Sequence, residues 1–192
     1  MARSYTLKKR AEQQAETRNR IVEAAVDLHS TLGPARTTFS MVAEKAGVQR
    51  HTLYAHFPDE LALAMACSGH VYMLDPLPDA AAWSGITGTS ERLGAGLTAV
   101  YGWYGRHASL MTCLVRDVEH HATTREVVSL RVAPVVVGWH EVLGANLDAK
   151  QRAMLQLALS FHTWRTLVQE AGLKEAAAVN AMVQAIEAVQ ET

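Results

Sequence analysis

The sequence predicts an all-α protein of about nine helices, a three-helix DNA-binding head followed by a larger helical domain. Three observations lead there. No segment alternates apolar and polar residues as a half-buried strand does, whereas apolar residues recur at helical spacing from Ile21 to Val189. Helix stops punctuate those stripes, at Gly33-Pro34, Gly47 and Gly172. One short pair of helices, joined at Gly47, has the pattern of a helix-turn-helix.

That pair organises the chain. Phe39, Val42, Ala43 and Ala46 fall at i, i+3, i+4 and i+7, one apolar face of a short helix. Gly47 follows at once, where a helix end favours a residue that tolerates the left-handed conformation. A second helix starting at Gln49 buries only Leu53 and Phe57, with Val48 in the corner. Its other side chains, Gln49, Arg50, His51, Thr52, Tyr54 and His56, nearly all form hydrogen bonds. From Gln49 to His56 the helix spans roughly 12 Å, and the DNA major groove is about 12 Å wide. Double-stranded DNA is therefore the expected partner. Gln49, Arg50 and His51 come first on the helix, where base edges are usually read. Arginine pairs well with guanine and glutamine with adenine, each bidentate contact discriminating by about 1–3 kcal/mol.

The run Thr38 to Phe57, TFSMVAEKAGVQRHTLYAHF, resembles the DNA-binding signature of the tetracycline-repressor (TetR) family. The Ala-Gly-Val turn, the Thr-Leu-Tyr step and the closing His-Phe all match. The resemblance is specific over Arg18 to Leu63 and extends by helix pattern alone beyond it. It implies that Thr38, Thr52, Tyr54 and His56 meet backbone phosphate, contacts that position a protein without specifying sequence. His56 has a second reading, as packing against the fourth helix. Where the family commonly has lysine, three residues after the closing Phe, this chain has Glu60.

Composition bounds the remainder. With 192 residues and 49% apolar content the chain can bury a substantial core. No run of 18 apolar residues suggests a membrane span. Cys67 and Cys113 lack metal-type spacing, so reduced, buried thiols in a cytoplasmic protein are expected. Residues 1–56 carry nine Lys and Arg against five Asp and Glu, and residues 57–192 carry nine against fourteen. A basic head on an acidic body suits a protein that touches a polyanion at one end.

In chain order, residues 1–16 read as a basic tail, either solvated or reaching a minor groove as an arm. The head occupies 17–57. Its first helix is expected from Thr17, a plausible N-cap, to about Thr31, and Thr37 or Thr38 caps the second. Residues 58–192 form the helical domain. Pro58 can open the fourth helix at its first position, and Asp75 to Asp79 read as a loop. Thr89 or Ser90 caps the fifth helix, and a sixth spans about Ala108 to His120. Thr123-Thr124-Arg125-Glu126 reads as a capping box opening a seventh helix toward Gly144, kinked at Pro134. Asp148 to Gln151 resembles a second capping box, opening an eighth helix with Leu157, Phe161, Trp164 and Val168 on one stripe. A ninth carries Val179 to Val189.

The domain mixes Trp103, His107, Met111, Arg116, Trp139, His140, His162 and Trp164, aromatic bulk with a few polar handles, as ligand cavities are lined. Core packing explains the same residues. The resemblance implies an effector cavity here and a homodimer built on the last two helices. Met154, Ala158, Phe161, Val179, Met182, Val183 and Ile186 are the candidate interface. Asp117, His120 and His121 share a helical turn, yet two ligands from one turn make no metal site. No nucleophile elbow or glycine-rich phosphate loop frames an enzyme site. No cofactor or metal is expected. The function that emerges is a homodimeric, ligand-responsive repressor on a pseudo-palindromic operator. The alternative is a small-molecule sequestering protein with a vestigial head.

Overall fold

Ile21, Val22 and Ala25 form one stripe of a long helix, and the first structural unit is built on that stripe. In the computed structural model, which describes residues 2–189 and side chains from Lys9 onward, eleven α-helices and no strand occur among the described residues. The chain divides into two units, Met1–Pro76 with Thr112–Val128, and Leu77–Met111 with Ser129–Thr192. Residues 112–128, expected in the second domain, therefore pack with the head.

In the first unit, α1 (Ala2–Thr31) runs unbroken through Thr17, which is not a cap. Residues 8–16 are Lys, Arg, Ala, Glu and Gln, strong helix formers. Extending an existing helix through them needs no new nucleus. Gly33, at φ 95°, ends this segment before a short 3-10 turn over Pro34–Arg36. Helices α2 (Phe39–Ala46), α3 (Arg50–His56) and α4 (Glu60–Leu74) follow. Val42, Leu53, Phe57, Leu63 and Cys67 close over the α1 stripe as a single core. Asp59, not Pro58, begins α4, its carboxylate accepting from the Ala62 N–H at 2.8 Å.

Helices α6 (Ala108–Asp117) and α7 (Ala122–Arg131) each pass from one unit's residues into the other's. The expected capping box at Thr123 is absent. The His121 ring receives the Thr124 N–H at 3.4 Å instead, and Thr123 Oγ1 donates to Glu60 at 3.1 Å. Both thiols are buried and reduced, Cys67 facing the Val22 carbonyl and Cys113 the Ser30 carbonyl. Burial pushes the Cys67 thiol up to about 12, against a smaller pull from Arg18.

The second unit contains α5 (Thr89–Arg106), α8 (Ala133–Leu143), α9 (Ala149–Ala158), α10 (Phe161–Trp164) and α11 (Glu175–Ala188). Neither Thr89 nor Ser90 caps α5; Gly88 precedes it without a side-chain cap. Pro134 starts a helix rather than kinking one. It sits in the first turn of α8, where its missing N–H costs nothing, so the expected seventh helix is two helices. The Asp148–Gln151 capping box is present in both directions, at 2.9 and 3.2 Å.

The expected eighth helix is also broken, between Ala158 and Phe161. The Tyr101 and Tyr104 hydroxyls donate to the Ala158 and Leu159 carbonyls at 2.9 and 2.7 Å, taking the acceptors at that break. Ser160 then caps α10, and a π-turn over Arg165–Glu170 leads to Gly172 at φ 72°. The break resets the helical phase. In α9 the core therefore takes Leu155 and Ala158, and Leu157 is 50% exposed, off the expected stripe with Phe161 and Trp164. Among the described residues no helix is long and apolar enough to cross a membrane.

Candidate nucleic-acid interface

The turn between α2 and α3 is held by its backbone. Thr38 caps α2, its Oγ1 accepting the Met41 N–H at 3.3 Å, which leaves the hydroxyl proton free to donate outward. Gly47 adopts φ 64°, and the Val48 N–H returns to the Ala43 carbonyl at 3.0 Å. That closure requires the left-handed residue at position 47.

From this turn α3 emerges with one side committed. Leu53 is fully buried in the core, and so is Phe57 just past the helix. Gln49, Arg50, His51 and Tyr54 are exposed, while Thr52 and His56 are half-buried. Gln49 serves as the backbone N-cap without using its side chain. The Tyr54 ring packs on Phe39 with centroids 5.0 Å apart, which fixes where its hydroxyl points although the residue is 47% exposed. Thr38, Thr52, Tyr54 and His56 thus frame a helix whose leading turn presents Gln49, Arg50 and His51. Arg18 of α1 covers Phe57, its guanidinium 4.1 Å from the ring centroid, an attraction between cation and ring face.

A polar cluster flanks the head. Arg116 donates to Asp117 at 2.7 Å and to the Leu32 carbonyl at 2.7 Å, and Asp117 accepts the Ala35 N–H at 3.0 Å. Burial disfavours the Asp117 charge, but the Arg116 guanidinium and the Ala35 N–H outweigh it and hold the carboxyl below its ordinary range. His120 Nε2 stands 3.9 Å from Asp117, whereas His121 turns away to Glu60. Among the described residues no group of three His, Cys, Asp or Glu is placed to hold a metal ion. Spacing alone did not reveal Asp117 and Glu60 as tethers, because their partners lie far away in sequence.

The effector candidates do not form one set. Arg116 belongs to the first unit and is occupied by Asp117 and Leu32. Trp103, Trp139 and Trp164 are core residues of the second unit. Trp139 donates to the Pro78 carbonyl at 2.7 Å, and Trp103 stacks on His107 at 4.3 Å. Trp164 packs against Tyr104 and Phe161, and its Nε1 is buried without an acceptor. Met111 is half-buried and His162 exposed. His140, its basicity lowered by burial, lines an open groove of about 580 Å³ with Val136, Val137 and Arg152. Of the interface candidates, Ala158, Phe161, Val179, Val183 and Ile186 are buried within the single chain, and only Met154 and Met182 keep part of their surface.

Residues 21–67 match the family model described as bacterial regulatory proteins, tetR family. Over 75 residues, 38% of this chain, the sequence is 36% identical to the HTH-type transcriptional regulator SrpR of Pseudomonas putida. The match spans 35% of that relative's length. The fold is similar to that of a tetR-family transcriptional regulator from Streptomyces coelicolor, with a TM-score of 0.61 at 20% identity over 91% of this chain and 80% of that one. It is also similar to the transcriptional regulator FadR of Bacillus subtilis in complex with stearoyl-CoA, with a TM-score of 0.62 at 14% identity over 90% and 98% of the two chains. At these identities the likeness to the solved structures is one of fold. Residues 21–67 thus match the tetR-family model, and the helical fold of the chain is similar to that of tetR-family regulators of known structure.

Proposed function

We propose that the chain is a transcriptional regulator, a repressor that binds a pseudo-palindromic operator as a homodimer and is released by a small-molecule effector. One observation carries the DNA-binding part: α3 gives Leu53 to the core and turns Gln49, Arg50, His51 and Tyr54 outward. In this reading Gln49, Arg50 and His51 read base edges, and Thr38, Thr52, Tyr54 and His56 hold phosphates. Two such heads on a two-fold axis would occupy successive major grooves, about one DNA turn apart.

The effector would sit in the second unit, among Trp103, His107, Met111, Trp139, His140, His162 and Trp164. The orphaned Trp164 Nε1 supports a ligand there that offers a hydrogen-bond acceptor. FadR in complex with stearoyl-CoA supports a small molecule as effector. The dimer would form on the outer faces of α9 and α11, where Met154, Leu157 and Met182 retain exposed area. Selection of bound sequences from a random duplex pool tests the whole reading. Enrichment of an inverted repeat is expected, and a pool that returns no preferred sequence would refute it.

A further inference from the structure

We infer that the groove between α8 and α9 binds a zwitterion, a small molecule with an ammonium and a carboxylate on an aliphatic body, as an amino acid or a short peptide has. The binding is independent of DNA; that its occupant is the effector rests on the function proposed above. Of the residues offered there for the effector, the three tryptophans are spent on the core of the second unit, whereas His140 opens onto this groove. Its volume of about 580 Å³ lies within the range of roughly 300–1,000 Å³ usual for ligand pockets.

The two walls carry opposite charges. Glu141 stands on α8 and Arg152 on α9, and both are exposed. Among the described residues neither has an ion-pair partner, so they do not neutralise each other across the groove. Val136, Val137 and Ala145 supply apolar lining, and Val137 is 54% exposed. Burial lowers the basicity of His140, so at neutral pH its ring adds a hydrogen-bonding group and no charge. A simple anion in this groove would meet Glu141, and a simple cation would meet Arg152. A molecule bearing both charges satisfies both walls.

A buried guanidinium behind one wall sets the orientation. Arg92 of α5 is buried and donates to the Ala145 carbonyl at 2.8 Å and to the Ile86 carbonyl at 2.9 Å. Those carbonyls are dipoles and bring no counter-charge. Among the described residues no carboxylate pairs with Arg92, and its Nε is buried without an acceptor. Buried charges are ordinarily paired. This one lies a single hydrogen bond behind the groove lining, so the Ala145 side is the side that favours a negative group. The carboxylate therefore belongs with Ala145 and Arg152, the ammonium with Glu141, and the aliphatic body on Val136 and Val137.

The test is calorimetry on the full chain with L-leucine and with L-leucyl-L-leucine, which separates an amino acid from a peptide. Isocaproate, which lacks the ammonium, and isopentylamine, which lacks the carboxylate, are the controls. At least one zwitterion should bind, and both controls should bind more weakly, by about tenfold or more. Arg152→Gln should cost the zwitterion about as much as loss of its own carboxylate, and Glu141→Gln about as much as loss of its ammonium. Both side chains are exposed, so the thermal midpoint should hold, and Arg152→Lys and Glu141→Asp should recover most of the affinity. The bound zwitterion should also weaken the complex with the selected operator. The inference is overturned if neither zwitterion binds, if the controls bind as well, or if both neutral variants keep wild-type affinity. A dimer that Val137→Glu turns into a monomer would give the groove to a second copy and overturn it too. A zwitterion that binds without loosening the operator complex would keep the site and remove its effector role. A chain that selects no operator refutes the DNA-binding reading and leaves the calorimetry standing.

Discussion

Glu60 and His121, sixty-one positions apart, are bonded: His121 Nε2 lies 2.9 Å from Glu60 Oε1. The other ring nitrogen accepts from Thr124, so the ε-tautomer satisfies both sides. Glu60 also receives Thr123. The Glu60 carboxylate therefore tethers α4 to the start of α7. The pair is half exposed, so its worth is modest, about 0.5–1 kcal/mol. A double-mutant cycle of Glu60→Ala and His121→Ala, read by urea unfolding, should return a coupling of that size. Glu60→Lys should lower the unfolding midpoint, because it sets an ammonium against a ring N–H. Additive single-mutant losses would show that the tether contributes nothing.

Arg50 and Tyr54 should fail differently. Arg50→Ala should relax preference at one base position in each half-site, by about 1–3 kcal/mol. Tyr54→Phe should weaken binding to all sequences alike, since its ring contact with Phe39 survives and only the hydroxyl is removed. Titrations on operator and scrambled duplexes separate the two. Equal losses on both duplexes for Arg50→Ala would remove it from base reading.

Dimer tests must avoid the core. Ile186 is fully buried, so Ile186→Glu should unfold the second unit whether or not a partner exists. Leu157, half exposed, is the informative site. Leu157→Glu should keep its thermal midpoint within a few degrees and sediment as a monomer. A folded, unchanged dimer would move the interface elsewhere.

His29 sets an acid limit on the first unit. Burial, and secondarily nearby His121, lower its pKa to about 4, against a smaller opposing pull from Asp117. Above about pH 6.5 both folded and unfolded forms are neutral. As pH falls from there, the unfolded chain takes up the proton first, so stability declines until about pH 4 and then levels. The loss is on the order of 3 kcal/mol. Unfolding free energies measured from pH 7 to 4 should show that slope, and His29→Gln should flatten it.

Gly96 faces Leu143 across the α5–α8 contact, and a Cβ there would lie 2.5 Å from Leu143 Cδ2. Alanine would gain about 0.5–1 kcal/mol of helix propensity, but overpacking against a fully buried leucine costs about 1–3 kcal/mol. The clash should win, and Gly96→Ala should lower the thermal midpoint. A rise would mean that Leu143 can shift at no cost.

The head could be read from the sequence because its signals are local. The Gly47 turn, the Thr38 cap and the four-position face of α2 each depend on neighbours within a few residues, and all appear in the structure. The second unit was less legible where distant partners decide. Tyr101 and Tyr104 end α9 from 57 and 55 positions away, so no local pattern around Ser160 announced the break. Pro134 marks a disruption in the sequence, but whether proline kinks a helix or starts one depends on the turn before it. The start of α1 is illegible locally for another reason: Thr17 is a good cap only if no helix already arrives from Lys9 and Arg10.

The two shielded sulfurs have a practical consequence. With the Cys67 thiol pushed up to about 12, only about one molecule in ten thousand carries the thiolate at pH 8, and Cys113 is enclosed beneath Ser30. The native chain should behave toward maleimides almost as if it had no cysteine. A cysteine introduced at exposed Ala55, on the outer side of α3, would then be the one reactive handle. Spin labels there, in the proposed dimer, would report the separation of the two recognition helices as a distance, in solution, before and after a candidate effector is added.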